Sequence, residues 1–362
     1  MERQILYFGG DETVELQSEA LPPPNAGEIQ VRTRLSAISS GTEQLVYRGQ
    51  VPRAFLRDAS IDALRGENPG SIPSANTPDS PYPVPHGYAC VGNVIAVGSG
   101  IDEDRCGQRV FAFHPHASHF NVSADSAIPL PPSLSDEDAA FLPNVETAIG
   151  LVMDGQPKIG ERVAVFGLGI VGLLTVSLLS DIPLESLVAI DPNEQRREFG
   201  AEAGAAYTVD PNEIDRIREI LKIDAPSAYD STENEAAGAD LVFELSGTPD
   251  ALNSAISACG YGGRLIVGSW YGTKDARIDL GGRFHRQHLS IRSSQVSTIG
   301  PEHRARWSKR RRMSLAIDYC EQLHPSEEWT ESVRIADASD VYDRLANGLN
   351  QSLQYLFTYS SK

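Results

Sequence analysis

The chain has 362 residues, 41% of them hydrophobic and 22% charged, which allows about two domains and a sizeable core and excludes a disordered tail or a coiled coil. Its 31 Lys and Arg stand against 49 Asp and Glu, a formal net charge of −18 that argues against nucleic acid or an anionic membrane surface as the main partner. Lysine occurs only at 158, 222, 274, 309 and 362, so the composition fits either a halophile-like protein that stays soluble in concentrated salt or plain acidity.

Residues 1–150 read as mostly β. Glu28-Ile-Gln-Val-Arg-Thr-Arg-Leu alternates apolar and polar residues with period two, as a half-buried strand does. Val91–Gly98 and Gly107–Phe113 are further strands, and Pro22-Pro-Pro-Asn, Gly98-Ser-Gly and Pro131-Pro are turn signals between them. Residues 48–82, rich in Pro, Ser, Asn and Gly with a short amphipathic piece near Ile61–Leu64, read as a long surface insert. From about 151 to 295, apolar β runs alternate with helical periods: Arg162–Phe166, Leu187–Ile190, Ala205–Val209, Asp240–Leu245, Arg264–Val267 and Ser290–Arg292. That alternation predicts a parallel sheet covered on both faces, an α/β doubly wound fold. The tail predicts a helix near Arg304–Leu315, a helix near Ala338–Asn347 and a last strand at Gln354–Tyr359.

The strongest motif is Gly167-Leu-Gly169-Ile170-Val171-Gly172, placed between a buried strand and an apolar helix. Gly167 permits the tight turn, Gly169 lets backbone amides approach a pyrophosphate, and Gly172 lets helix and strand pack closely; the helix start then offers N–H groups to phosphate. Asp191, nineteen residues after Gly172, can accept the ribose hydroxyls and repel a 2′-phosphate, which favours NAD, while Arg196 and Arg197 keep NADP open. Ser246-Gly247 and Gly268-Ser269 end two later strands and complete the expected cofactor-binding set.

Cys90, Cys106, Cys259 and Cys320 form no CxxC or close Cys/His pair, and Met1–Gly10 lacks a basic region followed by an apolar run. The apolar stretch Val163–Leu179 falls short of a membrane span. These features point to a reducing, cytoplasmic setting without a membrane.

In its order of parts, and in Ala37-Ile-Ser-Ser40-Gly41-Thr42-Glu43, Gly87-Tyr88-Ala89-Cys-Val-Gly92 and the glycine motif above, the chain resembles the medium-chain dehydrogenase/reductase superfamily. The resemblance implies a β-rich GroES-like catalytic domain over 1–150, a central Rossmann domain over 151–295, and a return to the catalytic domain over 296–362. Zinc members carry Cys-Gly-Thr-Asp where Ser40-Gly41-Thr42-Glu43 stands and Gly-His-Glu where Gly87-Tyr88-Ala89 stands. Their third ligand falls near Leu142-Pro-Asn-Val, which offers no donor, and their structural zinc lobe of four Cys is missing. Ser39–Glu43, Tyr47-Arg48-Gly49, Gly87-Tyr88 and the tail Ile291–Val296 with Arg306-Trp307 and Arg310-Arg311 are similar to a zinc-free branch that includes bacteriochlorophyllide hydroxyethyl dehydrogenase.

The resemblance implies a zinc-independent, NAD-dependent oxidoreductase acting on a secondary alcohol, ketone or aldehyde of a fairly large small-molecule substrate, and, by analogy, a homodimer. A quinone- or enone-reducing NADPH enzyme and a non-catalytic NAD(H)-binding sensor or assembly subunit are the alternatives. Without zinc, hydrogen-bond donors must carry developing charge. Thr42 matches the family's proton-relay hydroxyl, Tyr88 stands at a ligand position as a phenol donor, and Ser40 lies beside them. Glu43 and Glu146 are candidate bases or orienting carboxylates, or merely hold an Arg. His114, His116 and His119 lie close together, but a shared metal would need donors from elsewhere. The Arg-rich stretch Arg292–Arg312 with Trp307 reads as a solvated face or as an anion-facing rim.

Overall fold

The computed structural model describes residues 1–52, 82–223, 237–349 and 352–359. Most of the expected insert 48–82, with its Ile61–Leu64 piece, lies outside the described residues. The chain packs as two compact units, Met1–Pro143 with Met313–Lys362, and Asn144–Arg312.

In the first unit the strand Glu28–Ala37 is the spine. Its alternation buries Val31, Leu35 and Ala37, and it pairs antiparallel with Cys90–Val97, His119–Ser123 and Gln354–Thr358. The sheet runs Thr330–Arg334, Gln354–Thr358, Glu28–Ala37, Cys90–Val97, Arg109–Ala112, Ile128–Pro129. A strand from the end of the chain therefore lies beside one from its beginning. A second sheet orders Val14–Ala20, Glu2–Phe8 and Val84–Pro85. The helix Ser40–Tyr47 leaves the spine directly, and Leu45, Val46 and Tyr47 anchor it beside Phe8, Ile38, Tyr342 and Phe357.

The second unit is a six-stranded sheet ordered Tyr207–Val209, Ser186–Ile190, Arg162–Phe166, Ala239–Glu244, Cys259–Val267, Ser290–Ser293, with every neighbouring pair parallel. Every residue of Arg162–Phe166 is buried, as a central parallel strand covered on both faces requires. Strand order reverses between Arg162–Phe166 and Ala239–Glu244, the switch point beyond whose carboxyl ends such sheets bind ligands.

Two tail expectations shift. The helix forecast at Arg304–Leu315 runs over Lys309–Leu323, because the Ser308 hydroxyl accepts the Arg311 amide at 3.2 Å and caps it there. The residues after 295 stay with the sheet unit through Arg312: Ser294 Oγ donates to Asp154 at 2.6 Å, His303 Nε2 bonds the Met153 carbonyl at 2.9 Å, and Arg312 binds Glu146. Among the described residues no helix is long and apolar enough to cross a membrane.

Candidate functional site

The glycine motif has the backbone its chemistry demands. Gly167 has φ +91°, and a Cβ there would lie 2.5 Å from Ser246 Cα, so only glycine fits. A Cβ on Gly172 would meet the Gly167 carbonyl at 1.9 Å, which forces close helix–strand contact. Gly169, the residue before the helix Ile170–Ser180, has open space where its Cβ would be. The first turn of that helix, with Ile170 and Val171, thus leads with uncapped amides and an open approach, the donor set a pyrophosphate needs.

Asp191 follows the buried strand Ser186–Ile190 and is itself buried. Its Oδ2 accepts the Leu168 amide at 2.8 Å and its Oδ1 the Asn193 amide at 2.9 Å. Each oxygen retains a lone pair, so the carboxylate is held rigid and can still accept from a diol. The two arginines separate in role. Arg197 donates to the Asp191 and Pro192 carbonyls at 2.8 and 2.9 Å and pairs with Asp210 at 3.5 Å. Arg196 makes only a 3.9 Å approach to Asp191 through its guanidinium.

At the ends of the next strands, Glu244 is fully buried and accepts the Ser246 amide at 2.9 Å together with the Ser246 and Tyr271 hydroxyls. Gly247, at φ +69°, donates its amide to Ser269 Oγ at 2.8 Å, and Gly268 donates to the Glu244 carbonyl at 3.0 Å. Ser246, Gly247, Gly268 and Ser269 are therefore one hydrogen-bonded rim around Glu244. Glu244 and Tyr271 escaped the sequence reading, although the buried acid in Phe243-Glu244-Leu245 was a signal available to it. Glu146 lies in this unit as well: it is buried, accepts from Arg312 Nε and Nη2 at 3.1 and 3.0 Å, and burial raises its pKa against the pull of Arg312 and Lys309.

In the first unit, the segment Ser39–Glu43 and the turn at Tyr88 come together. The Tyr88 hydroxyl donates to Ser39 Oγ. Burial pushes the phenol up to about 12, with the Glu43 charge adding to it and the Ser39 and Thr42 hydroxyls opposing it. No cation lowers it, so Tyr88 stays a protonated donor across the neutral range. Ser40 is exposed at the first residue of its helix.

Glu43 is fully buried. It accepts the Ser39 amide at 2.8 Å, His116 Nε2 at 3.1 Å and the Tyr342 hydroxyl. Burial alone would raise its carboxyl, but the His116 ring beside it outweighs that and holds it below the usual range. His116 Nδ1 bonds Ser36 Oγ at 2.7 Å, and that hydroxyl bonds Tyr359 at 2.7 Å. Ser36, Tyr342 and Tyr359 were missed because no local pattern joins residues some 300 apart in sequence, while Ser39 was read only as part of the Ser39–Glu43 motif and not as the partner of Tyr88.

At the described positions where zinc relatives carry ligands, the donor set does not fit a zinc ion. Ser40 and Tyr88 are a hydroxyl and a protonated phenol, Ala89 offers nothing, and the Glu43 oxygens carry three donors. The three histidines are otherwise engaged: His116 with Glu43, His114 stacked on Phe120 at 4.1 Å, and His119 with Ser118 at 3.1 Å. Among the described residues Asp154, Glu302 and His303 converge, but Arg292 lies 3.6 Å from Asp154 and pairs with Glu302.

Known proteins agree with this architecture. The family described as zinc-binding dehydrogenase matches residues 171–313. D-guloside 3-dehydrogenase of Escherichia coli K12 is 25% identical over 298 residues, 79% of each chain. (R,R)-butanediol dehydrogenase of Bacillus subtilis is 27% identical over 244 residues, covering 60% of this chain and 65% of its own. In fold, the chain is similar to an alcohol dehydrogenase of Escherichia coli CFT073 solved with the cofactor NADH, at TM-score 0.73, 18% identity and 99% coverage of each chain. The fold is a Rossmann sheet joined to a GroES-like domain. Together these similarities support the medium-chain dehydrogenase/reductase superfamily as the family the chain resembles.

Proposed function

We propose that the protein is a zinc-independent, NAD-dependent oxidoreductase that interconverts a secondary alcohol with a ketone, or an alcohol with an aldehyde, on a fairly large substrate. The observation that carries the cofactor half is the rigid Asp191 carboxylate beside the open Gly169 turn. Bound there, a nicotinamide dinucleotide supplies the hydride donor or acceptor. Gly167–Gly172 cradle its pyrophosphate, Asp191 takes the adenosine ribose hydroxyls, and the Ser246-Gly247 and Gly268-Ser269 rim borders the nicotinamide half. Relatives named as dehydrogenases of a guloside and of butanediol support the alcohol chemistry.

In the catalytic half, Tyr88 and Thr42 donate hydrogen bonds to the reacting oxygen, with Ser40 beside them. A protonated phenol carries partial negative charge on that oxygen without a Lewis acid. Glu43 orients: it fixes the Ser39 amide, and Ser39 Oγ holds the Tyr88 hydroxyl until the reacting oxygen replaces it as the acceptor. Glu146 holds Arg312 in the same manner. In this reading the protein is a cytoplasmic homodimer with a salt-tolerant, acidic surface.

The deciding experiment is a cofactor-linked screen of alcohols, ketones and quinones with NAD(H) and NADP(H) in high salt, with zinc analysis on the same sample. Turnover with NAD(H) and an alcohol or ketone, without stoichiometric zinc, is the expected result. Turnover only with NADPH and quinones, or one tightly held zinc per chain, would replace the reading.

A further inference from the structure

Arg304, Arg306, Arg310 and Arg311 flank Trp307 in sequence at the start of the helix Lys309–Leu323, and all four are exposed. Among the described residues none of them pairs with a carboxylate. Several other arginines of the same unit do: Arg292 with Glu302, Arg312 with Glu146, Arg264 with Glu161, Arg197 with Asp210. A chain with 49 acids against 31 bases leaves few cations over, so four unpaired guanidinium groups within eight residues are a local reversal of its charge.

The patch is also partly pre-ordered. Arg311 lies over the Trp307 ring, its Cζ 4.1 Å from the centroid, and its Nη1 donates to the Arg306 carbonyl at 2.7 Å. Arg304 Nε donates to the Ile299 carbonyl at 3.0 Å. Two guanidinium groups are thus tethered through one edge, with donors left over, while Arg306 and Arg310 have no side-chain partner among the described residues. Planar forks in this state match the oxygens of carboxylate or phosphate, and little side-chain entropy remains to be lost at the tethered pair.

We propose that Arg304, Arg306, Arg310 and Arg311, of which Arg311 is ordered on Trp307 and Arg304 on the Ile299 carbonyl, form a binding site for a small molecule carrying carboxylate or phosphate groups. A nucleic acid is the less fitting ligand, because the net charge of −18 repels a long polyanion while a compact anion meets only the local field. The site stands independently of the hydride chemistry above.

The test uses the full chain with tryptophan fluorescence and amide chemical shifts, titrated with citrate and with inorganic pyrophosphate at constant ionic strength set by NaCl. Saturable changes centred on Trp307 are expected, lost in Trp307→Phe for the fluorescence readout. Arg306→Gln with Arg310→Gln should weaken binding by about tenfold or more, since each removes a charge-assisted bond. These two side chains hold nothing in the fold, so an unchanged thermal midpoint will confirm that the double variant is native. Citrate binding and pyrophosphate binding each support the proposal, and their ratio ranks carboxylate against phosphate. No saturable response to either anion overturns it. Equal binding by the double variant also overturns it, and would place the anion at the glycine turn. Tighter binding of a DNA or RNA oligonucleotide than of either small anion would overturn the choice of ligand.

Discussion

The Asp191 carboxylate and the Leu168 amide are joined at 2.8 Å, so the group that would read the ribose also pins the glycine turn that would hold the pyrophosphate. Asp191→Ala should weaken NAD(H) by about 1–3 kcal/mol, the usual cost of leaving polar partners badly satisfied. It should also lower thermal stability, because the Leu168 and Asn193 amides lose their acceptor. Arg196→Gln should diminish any residual NADP(H) affinity and leave NAD(H) alone. Arg197→Gln should instead cost stability, since that side chain ties the Asp191 and Pro192 carbonyls to Asp210. Fluorescence titration of both cofactors beside thermal melts of each variant checks the division.

Tyr88→Phe removes the phenol donor together with its bond to Ser39. Once a substrate is in hand, turnover should fall by roughly 10²–10³ with cofactor affinity unchanged. Thr42→Val should act in the same direction. Full turnover in both variants would remove these residues from the chemistry.

Tyr342→Phe leaves the buried Glu43 with two donors where it had three. A loss of about 1–3 kcal/mol in urea unfolding is expected. Glu43→Gln should cost more, because the His116 ring then loses its charged partner, and a variant as stable as the parent would show the network to be dispensable.

His86 is buried and its pKa is lowered to about 4, chiefly by burial, with Glu43 opposing and His116 adding to the effect. In the unfolded chain it takes a proton near 6.5, so between roughly pH 6.5 and 4 the unfolded state binds more protons. Stability should therefore fall with acidification across that window, by up to about 3 kcal/mol from this residue. Below pH 4 the His86 contribution levels off. Glu43, held low in the folded state, adds loss in the same direction through the carboxylate range. His86→Gln should flatten the upper part of a urea-midpoint profile against pH, and an unaltered slope would refute the assignment.

Arg312→Met strands the Glu146 carboxylate inside the protein and should cost about 3–5 kcal/mol. The double variant Glu146→Leu with Arg312→Met should recover most of that loss. Urea unfolding of the single and double variants reads the coupling.

The inner strands Arg162–Phe166, Ser186–Ile190 and Ala239–Glu244 were legible because each is a short apolar run bounded by turn residues, and parallel burial on both faces writes itself as such runs, whereas the edge strands Tyr207–Val209 and Ser290–Ser293 are partly exposed and carry a weaker signal. The glycine motif was legible for the same reason: its demands are local. The strand Cys259–Val267 begins five residues before the forecast, since Gly260, Gly262 and Gly263 carry no apolar signal and Gly262, at φ +68°, interrupts the extended run. The helix expected at Arg304 was misjudged because arginine is a good helix former, while the cap at Ser308 decides where the first turn closes. Glu43 was visible as an acid next to Thr42, but its partners come from residues 116 and 342, and no short-range pattern announces contacts of that separation.

Tyr342, Tyr359 and the strand Gln354–Thr358 have a consequence for the newborn chain. The first unit places its oldest residues against its youngest: Leu35 and Ala37 pair with Thr358 and Leu356, and Glu43 receives its third donor from Tyr342. While the ribosome is still at work, residues 1–143 lack an essential strand and hold a carboxylate whose burial is incompletely compensated. The stretch Asn144–Arg312 is continuous and meets no such delay. The parallel sheet should close first during synthesis, and the β-rich unit should wait, exposed to chaperones, until Gln354–Thr358 leaves the exit tunnel. Ribosome-stalled chains ending near residue 350, whose residues up to Arg312 have left the tunnel while Gln354–Thr358 are not yet made, should then show a protease-resistant core that starts close to Asn144.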